Sequence, residues 1–123
     1  MTTIANIAVL LVALLHVYFL VLEMFLWDKP FGLRTFGMTP EFAAASKKLA
    51  ANQGLYNGFL AAGLLWGLWM GAAGYPTKIF FLAGIIVVGV FGAWTVNRKI
   101  LWVQAFPGAV AIVLVVLSEN LWL

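Results

Sequence analysis

The chain has 123 residues, of which 65% are hydrophobic and 9% charged; an ordinary soluble domain is roughly 45–50% apolar and about a quarter charged. A domain of this size still exposes about a third of its unfolded surface, so much of this apolar surface must face lipid. The formal net charge of +3 comes from seven basic and four acidic residues, the basic ones mostly in short inter-helix segments, which points to membrane topology and lipid headgroups and away from nucleic acid. With no cysteine, disulfides, iron–sulfur ligation, thiolate zinc sites and cysteine nucleophiles are excluded together.

A transmembrane helix needs about 20 mainly apolar residues, and four segments meet that length, approximately residues 4–27, 49–73, 77–97 and 100–122. The first has no basic leader and no small-residue cleavage site after it, so it reads as a retained helix and not a signal peptide. The connection after it starts with the turn-prone Asp28-Lys29-Pro30-Phe31-Gly32. Thr39, Pro40 and Glu41 then supply an N-cap, an N1 proline and a first-turn acid, and predict a helix starting near Pro40. Its first turns, with Glu41, Ser46, Lys47 and Lys48, lie in the headgroup region before the chain enters the membrane at Leu49. Gly74-Tyr75-Pro76 marks a short turn, and Asn97 to Lys99 a tight basic one. In the fourth span Pro107 removes a backbone hydrogen bond to the carbonyl of Val103 and, with Gly108, predicts a kink. No segment alternates with period two and no repeat or second domain is visible. The expected fold is all-α: a single transmembrane domain over residues 1–123, an up-down antiparallel four-helix bundle.

Orientation follows from the basic residues. Lys29, Arg34, Lys47, Lys48, Arg98 and Lys99 flank the first and third connections, and Lys78 alone lies on the opposite side, which places those connections in the cytoplasm and both termini outside it. The aromatics fit these levels: Trp27, Phe36 and Trp102 at the cytoplasmic interface, Trp69, Tyr75 and Trp122 at the outer one. Lys78 and Glu119 read as a solvated pair near the outer surface.

Polar side chains in hydrocarbon are costly, so their positions carry information. They concentrate at one depth: Glu23 in the first span, Asn52, Gln53, Tyr56 and Asn57 in the second, Trp94, Asn97 and Arg98 in the third, and Gln104 in the fourth. Asn52, Gln53, Tyr56 and Asn57 fit within about 140° of arc at about 100° per residue. His16 precedes Glu23 by two turns on the same face, a rise of about 10.5 Å. The expectation is a polar pocket open to the cytoplasm with His16 at its floor. Gly63, Gly67 and Gly71 repeat at i,i+4 and are expected to leave room opposite His16, while Gly54 and Gly58 form a second seam where helices approach closely. Each residue also has a structural reading. Glu23 could reach the headgroups or pair with Arg98, His16 could donate one interhelical hydrogen bond in the core, and the Asn and Gln amides could be interhelical glue. One histidine and one nearby carboxylate make no metal site, and no cofactor is implied.

The run AANQGLYNGFLAA from Ala50 to Ala62 resembles the small bacterial proteins grouped as domain of unknown function 1304. So do His16, Glu23 and Trp27 in the first span, Phe36-Gly37 and Thr39-Pro40-Glu41-Phe42 before the second, and Gln104 with Pro107 in the fourth. The resemblance covers nearly the whole chain and implies a four-helix, multi-pass protein of the bacterial inner membrane, with no particular activity attached. The epimerase label carried by some members finds no support here: there is no nucleotide-sugar fold, dinucleotide fingerprint or phosphate loop.

Three functions compete. The first is binding or transport of a small amphipathic or cationic molecule, with Glu23 and His16 pairing with it or exchanging protons; a lone four-helix unit is thin for a transport path, which favours a homo-oligomer. The second is a non-catalytic accessory or lipid-binding subunit of a membrane complex, alongside a partner membrane protein. The third and least favoured is an intramembrane enzyme on a lipid-like substrate, with His16 or Glu23 as general base. A serine triad is excluded, because Ser46 and Ser118 lie at opposite membrane surfaces, far from His16.

Overall fold

The computed structural model describes residues 2–120; Trp122 and the end of the fourth expected span lie outside the described residues. Every regular element among them is helical: α1 (Thr2–Met24), α2 (Pro30–Phe36), α3 (Pro40–Trp69), a 3₁₀ turn (Gly71–Gly74), α4 (Tyr75–Thr95), a π-helical turn (Leu101–Ala105) and α5 (Phe106–Asn120). Three stretches, Thr2–Met24, Gly71–Thr95 and Leu101–Asn120, are long and apolar enough to cross a membrane. In hydrocarbon a helix satisfies its own backbone polar groups, which is why such apolar runs resolve into helices. Residues 49–69 of α3 carry Asn52, Gln53, Asn57 and four glycines, and these dilute the apolar character of the second expected span.

The chain forms two compact units, one made of the residues up to Ala13 and from Ala62 onward, the other of Leu14–Ala61. In the second unit, α3 meets the C-terminal half of α1 along a glycine seam. A Cβ at Gly54 would stand 2.6 Å from Met24 Cγ and 3.2 Å from Glu23 Cβ, and one at Gly58 2.5 Å from Leu20 Cδ1. A side chain at Gly54 would displace Met24 and crowd the Leu20 carbonyl, while at Gly58 the Leu20 side chain would have to shift; the i,i+4 spacing of the two glycines anticipates such an approach. The start of α3 also follows the sequence: Thr39 Oγ1 accepts a hydrogen bond from the Phe42 amide at 3.1 Å, an N-cap with Pro40 in the first turn.

The connection before it is more ordered than a turn-prone loop. Pro30, which lacks an N–H and has a preset φ, opens α2, and Gly37 closes it in the left-handed region at φ 63°. Gly32 brings α2 against the end of α1, where a Cβ would fall on the Leu26 carbonyl.

In the other unit α4 packs against the π-helical turn and α5, around the buried Leu82, Ile85, Ala105, Ala111 and Val115. Gly89 and Gly108 allow the contact: a Cβ at Gly89 would lie 2.7 Å from the Ala105 nitrogen, and one at Gly108 3.0 Å from Ile85 Cγ2. The feature associated with Pro107 is the π-helical turn just before α5, in which the Phe106 amide bonds to the Leu101 carbonyl. A proline donates no backbone hydrogen bond, and a wider turn ahead of it redistributes the carbonyls left without a donor. Gly71, grouped in the sequence with the packing glycines, instead ends α3 at φ 66°, and nothing stands within 4 Å of where its Cβ would be. Large apolar side chains on α3 and α4 remain open, among them Trp69 at 83% and Phe80 at 72% exposure.

Candidate functional site

The polar residues of the Leu14–Ala61 unit gather where α1 ends beside α3. Glu23, in the last turn of α1, is half-buried, and its Oε1 accepts a hydrogen bond from the Asn57 side-chain amide. Gly54, one turn before Asn57, permits this pairing because its missing side chain brings the backbone of α3 close to Glu23 Cβ. A second tie follows: Trp27 Nε1 donates to Ser46 Oγ at 3.0 Å, and Ser46 Oγ donates to the Phe42 carbonyl at 2.7 Å. The Trp27 ring also packs on Phe36 of α2, centroids 4.9 Å apart.

The third tie is ionic. Asp28 Oδ2 pairs with Lys47 Nζ at 3.0 Å, and Asp28 Oδ1 stands 4.0 Å from Lys29 Nζ. The hydrogen bond from Lys47 holds the Asp28 carboxyl below its usual range.

His16 is completely buried in α1, with its ring edge-on to Phe19 at 5.2 Å. No buried side-chain nitrogen or oxygen among the described residues lacks a hydrogen-bond partner. Asn52, Gln53 and Tyr56 lie on α3 near Asn57 in sequence but are exposed, Tyr56 at 60%.

The remaining residues singled out in the sequence belong to the other unit. Trp94 is 83% exposed and packs edge-on with Phe91. Asn97 builds the turn between α4 and the π-helical segment, its Oδ1 accepting the Lys99 amide at 2.8 Å. Arg98 is exposed beside it, and Gln104 is half-buried in the π-helical turn. The room expected beside the glycine repeat is filled at Gly63 and Gly67. A Cβ at Gly63 would fall on the Phe81 ring, and one at Gly67 would stand 2.8 Å from Lys78 Cγ. Spacing marks a close approach but does not say which side chain enters the gap.

Lys78 also corrects its sequence reading as a solvated surface residue. It is only 8% exposed, and its Nζ donates to Asn6 Oδ1 at 3.2 Å. The signal was present in the sequence: Asn6 is a polar residue in an apolar span, and Gly67 leaves space for the lysine stem. The Trp27–Ser46 and Asp28–Lys47 ties were equally unforeseen, because both run between the end of one helix and the early turns of another. Among the described residues no group of three or more His, Cys, Asp or Glu could hold a metal ion.

The model of the family described as "Protein of unknown function (DUF1304)" matches residues 10–116. A protein of Lactococcus lactis subsp. lactis (strain IL1403), described as "Uncharacterized protein YpaA", is 34% identical over 115 residues, covering 92% of this chain and 97% of its own length. No solved structure matches the chain significantly. A family model matching residues 10–116, together with a relative aligned over 92% of the chain, supports one conclusion: the chain belongs to the DUF1304 family.

Proposed function

We propose that this chain is a multi-pass protein of the bacterial inner membrane that binds a small amphipathic molecule with a cationic head at the Glu23–Asn57 end of the Leu14–Ala61 unit. In this reading the apolar second half of α3 is a fourth span, both termini lie outside the cytoplasm, and residues 28–48 lie inside it. Four of the seven basic residues, Lys29, Arg34, Lys47 and Lys48, stand in that connection, and basic loops stay in the cytoplasm.

The observation that carries the reading is the partner of Glu23. An acid at the end of an apolar helix is tolerated when its charge is matched, but its partner is a neutral amide. The ion pairs among the described residues are those of Asp28. A cationic ligand supplies the missing charge at Glu23 Oε2, with Asn57 holding the carboxylate in position and the exposed Tyr56 ring offering an apolar and cation–π surface nearby. Proton exchange at Glu23, with His16 two turns deeper, would couple such binding to the membrane proton gradient.

The test measures tetraphenylphosphonium binding to purified protein, with the anion tetraphenylborate as the control of like shape. The expected result is saturable binding of the cation over the anion, weakened at least about tenfold in Glu23→Gln with helix content unchanged. Equal binding of both ions, or of the cation by both proteins, overturns the proposal. The Glu23–Asn57 bond also ties α1 to α3 and so supports a second reading, a non-catalytic accessory subunit in which the bond is structural. Loss of stability in Glu23→Gln without any saturable cation binding in the parent favours that reading.

A further inference from the structure

We infer that α2 and the first turns of α3 form a docking surface for anionic phospholipid headgroups, at which Arg34 and Lys48 contact the phosphates. The inference rests on the membrane insertion proposed above but not on the Glu23 site. Its starting point is the short helix that the sequence does not announce. Pro30 follows Met24 by six positions, and at about 3.3–3.6 Å per extended residue the start of α2 lies within about 22 Å of the end of the apolar helix. The link is tighter still, because the Phe25 and Leu26 amides both bond back to the Val21 carbonyl and the Lys29 amide bonds to Leu26. Thus α2 stays at the level where α1 leaves the membrane.

The seating of α2 then decides what it presents. Its buried residue is Gly32, packed against the Leu26 carbonyl, with Leu33 half-buried beside it. At about 100° per residue, Phe31, Arg34 and Thr35 share the opposite arc, and all three are exposed. An open phenylalanine next to an open arginine suits neither bulk water nor hydrocarbon. It suits the headgroup zone, where the ring enters the acyl boundary and the guanidinium bonds a phosphate.

The start of α3 continues the pattern with exposed Phe42, Lys47, Lys48 and Leu49. Charge decides the kind of lipid. Lys29, Arg34, Lys47 and Lys48 face only Asp28 and Glu41 in this stretch, and Asp28 is already engaged by Lys47 and Lys29. Arg34 and Lys48 are exposed and in no ion pair among the described residues, so the surface keeps an excess of positive charge that complements an anionic headgroup. It is also held in one geometry: Trp27 packs on Phe36 at one end of α2 and bonds Ser46 of α3.

The chain lacks cysteine, so Thr35→Cys introduces a single attachment point for a bimane fluorophore on the full-length protein in phosphatidylcholine vesicles. Alkaline extraction is carried out first. The vesicles then contain a minor fraction of either brominated phosphatidylglycerol or brominated phosphatidylcholine, and quenching is compared. Association near anionic lipid strengthens by about fivefold for each basic residue that reaches the surface. The expected result is quenching at least about fivefold more efficient with phosphatidylglycerol, reduced to near parity by Arg34→Gln/Lys48→Gln and by high salt. Equal quenching by the two lipids, a preference unchanged in the double variant, or quenching by aqueous iodide alone overturns the inference and leaves membrane insertion standing. Protein stripped from the vesicles by alkali overturns both.

Discussion

The Asn57 side-chain amide donates a hydrogen bond to Glu23 Oε1 across the seam between α3 and α1, joining residues 34 positions apart. Gly54 makes the pairing possible, since a side chain there would meet Met24 and Glu23 Cβ. Asn57→Leu removes the donor and leaves a half-buried acceptor without it, which costs about 1–3 kcal/mol. The expected outcome is a matching loss of unfolding free energy in a detergent titration. Little further loss should follow when Asn57→Leu is combined with Glu23→Leu, because the two residues act as one unit. Additive losses would refute the coupling.

The glycines divide into those that touch something and those that do not. Gly54→Leu and Gly89→Leu drive a branched side chain into Met24 and into the Ala105 backbone, while Gly84 has open space around its Cβ position. Overpacking costs about 1–3 kcal/mol or more where backbone blocks the way. Thermal unfolding should show both of the first two variants clearly destabilised and Gly84→Ala unchanged or slightly more stable, since alanine is the better helix former.

Gly71 tests conformation without packing. Its φ of 66° lies in the left-handed region and no neighbouring atom is close. Gly71→Ala should therefore destabilise by about 1–2 kcal/mol through backbone strain alone. Gly71→Asn should recover part of that loss, because asparagine tolerates this region better. Equal stability of all three proteins in the same titration would contradict the assigned conformation.

The Asp28–Lys47 pair sets a pH dependence. The hydrogen bond from Lys47 lowers the Asp28 pKa from its ordinary 3.8, so the folded state binds this proton less tightly than the unfolded state. The stabilisation is fully present above that ordinary value and is lost as pH falls through the lowered folded value. Lys47 is exposed and Asp28 partly so, and the effect is correspondingly small. Carboxyl NMR titration should find Asp28 below 3.8 in the parent and nearer to it in Lys47→Gln. An unchanged Asp28 midpoint would show that the pair does not form in solution.

Local chemistry and chain length were legible in the sequence. Thr39, Pro40 and Glu41 identified the start of α3 because capping acts within one turn, and the apolar runs of α1, α4 and α5 identified helices because hydrocarbon leaves a backbone few other ways to satisfy itself. The i,i+4 glycines at 54 and 58 marked a close helix contact, and the acid and the amide that meet there, Glu23 and Asn57, stood out as polar residues in apolar surroundings.

Partner choice was a matter for the tertiary structure. Which amide meets Glu23, whether Phe81 fills the space beside Gly63, and whether Lys78 is solvated or buried against Asn6 all depend on helix rotation and offset, which spacing along one helix does not specify. The same holds for α2, a seven-residue helix too short to be stable by propensity. Its existence depends on Gly32 seating it on the end of α1 and on Trp27 holding Phe36. The sequence thus determined which residues form the long helices and where polar groups had to find partners; packing between helices selected those partners, because a hydrogen bond or a filled gap is a property of two surfaces in register.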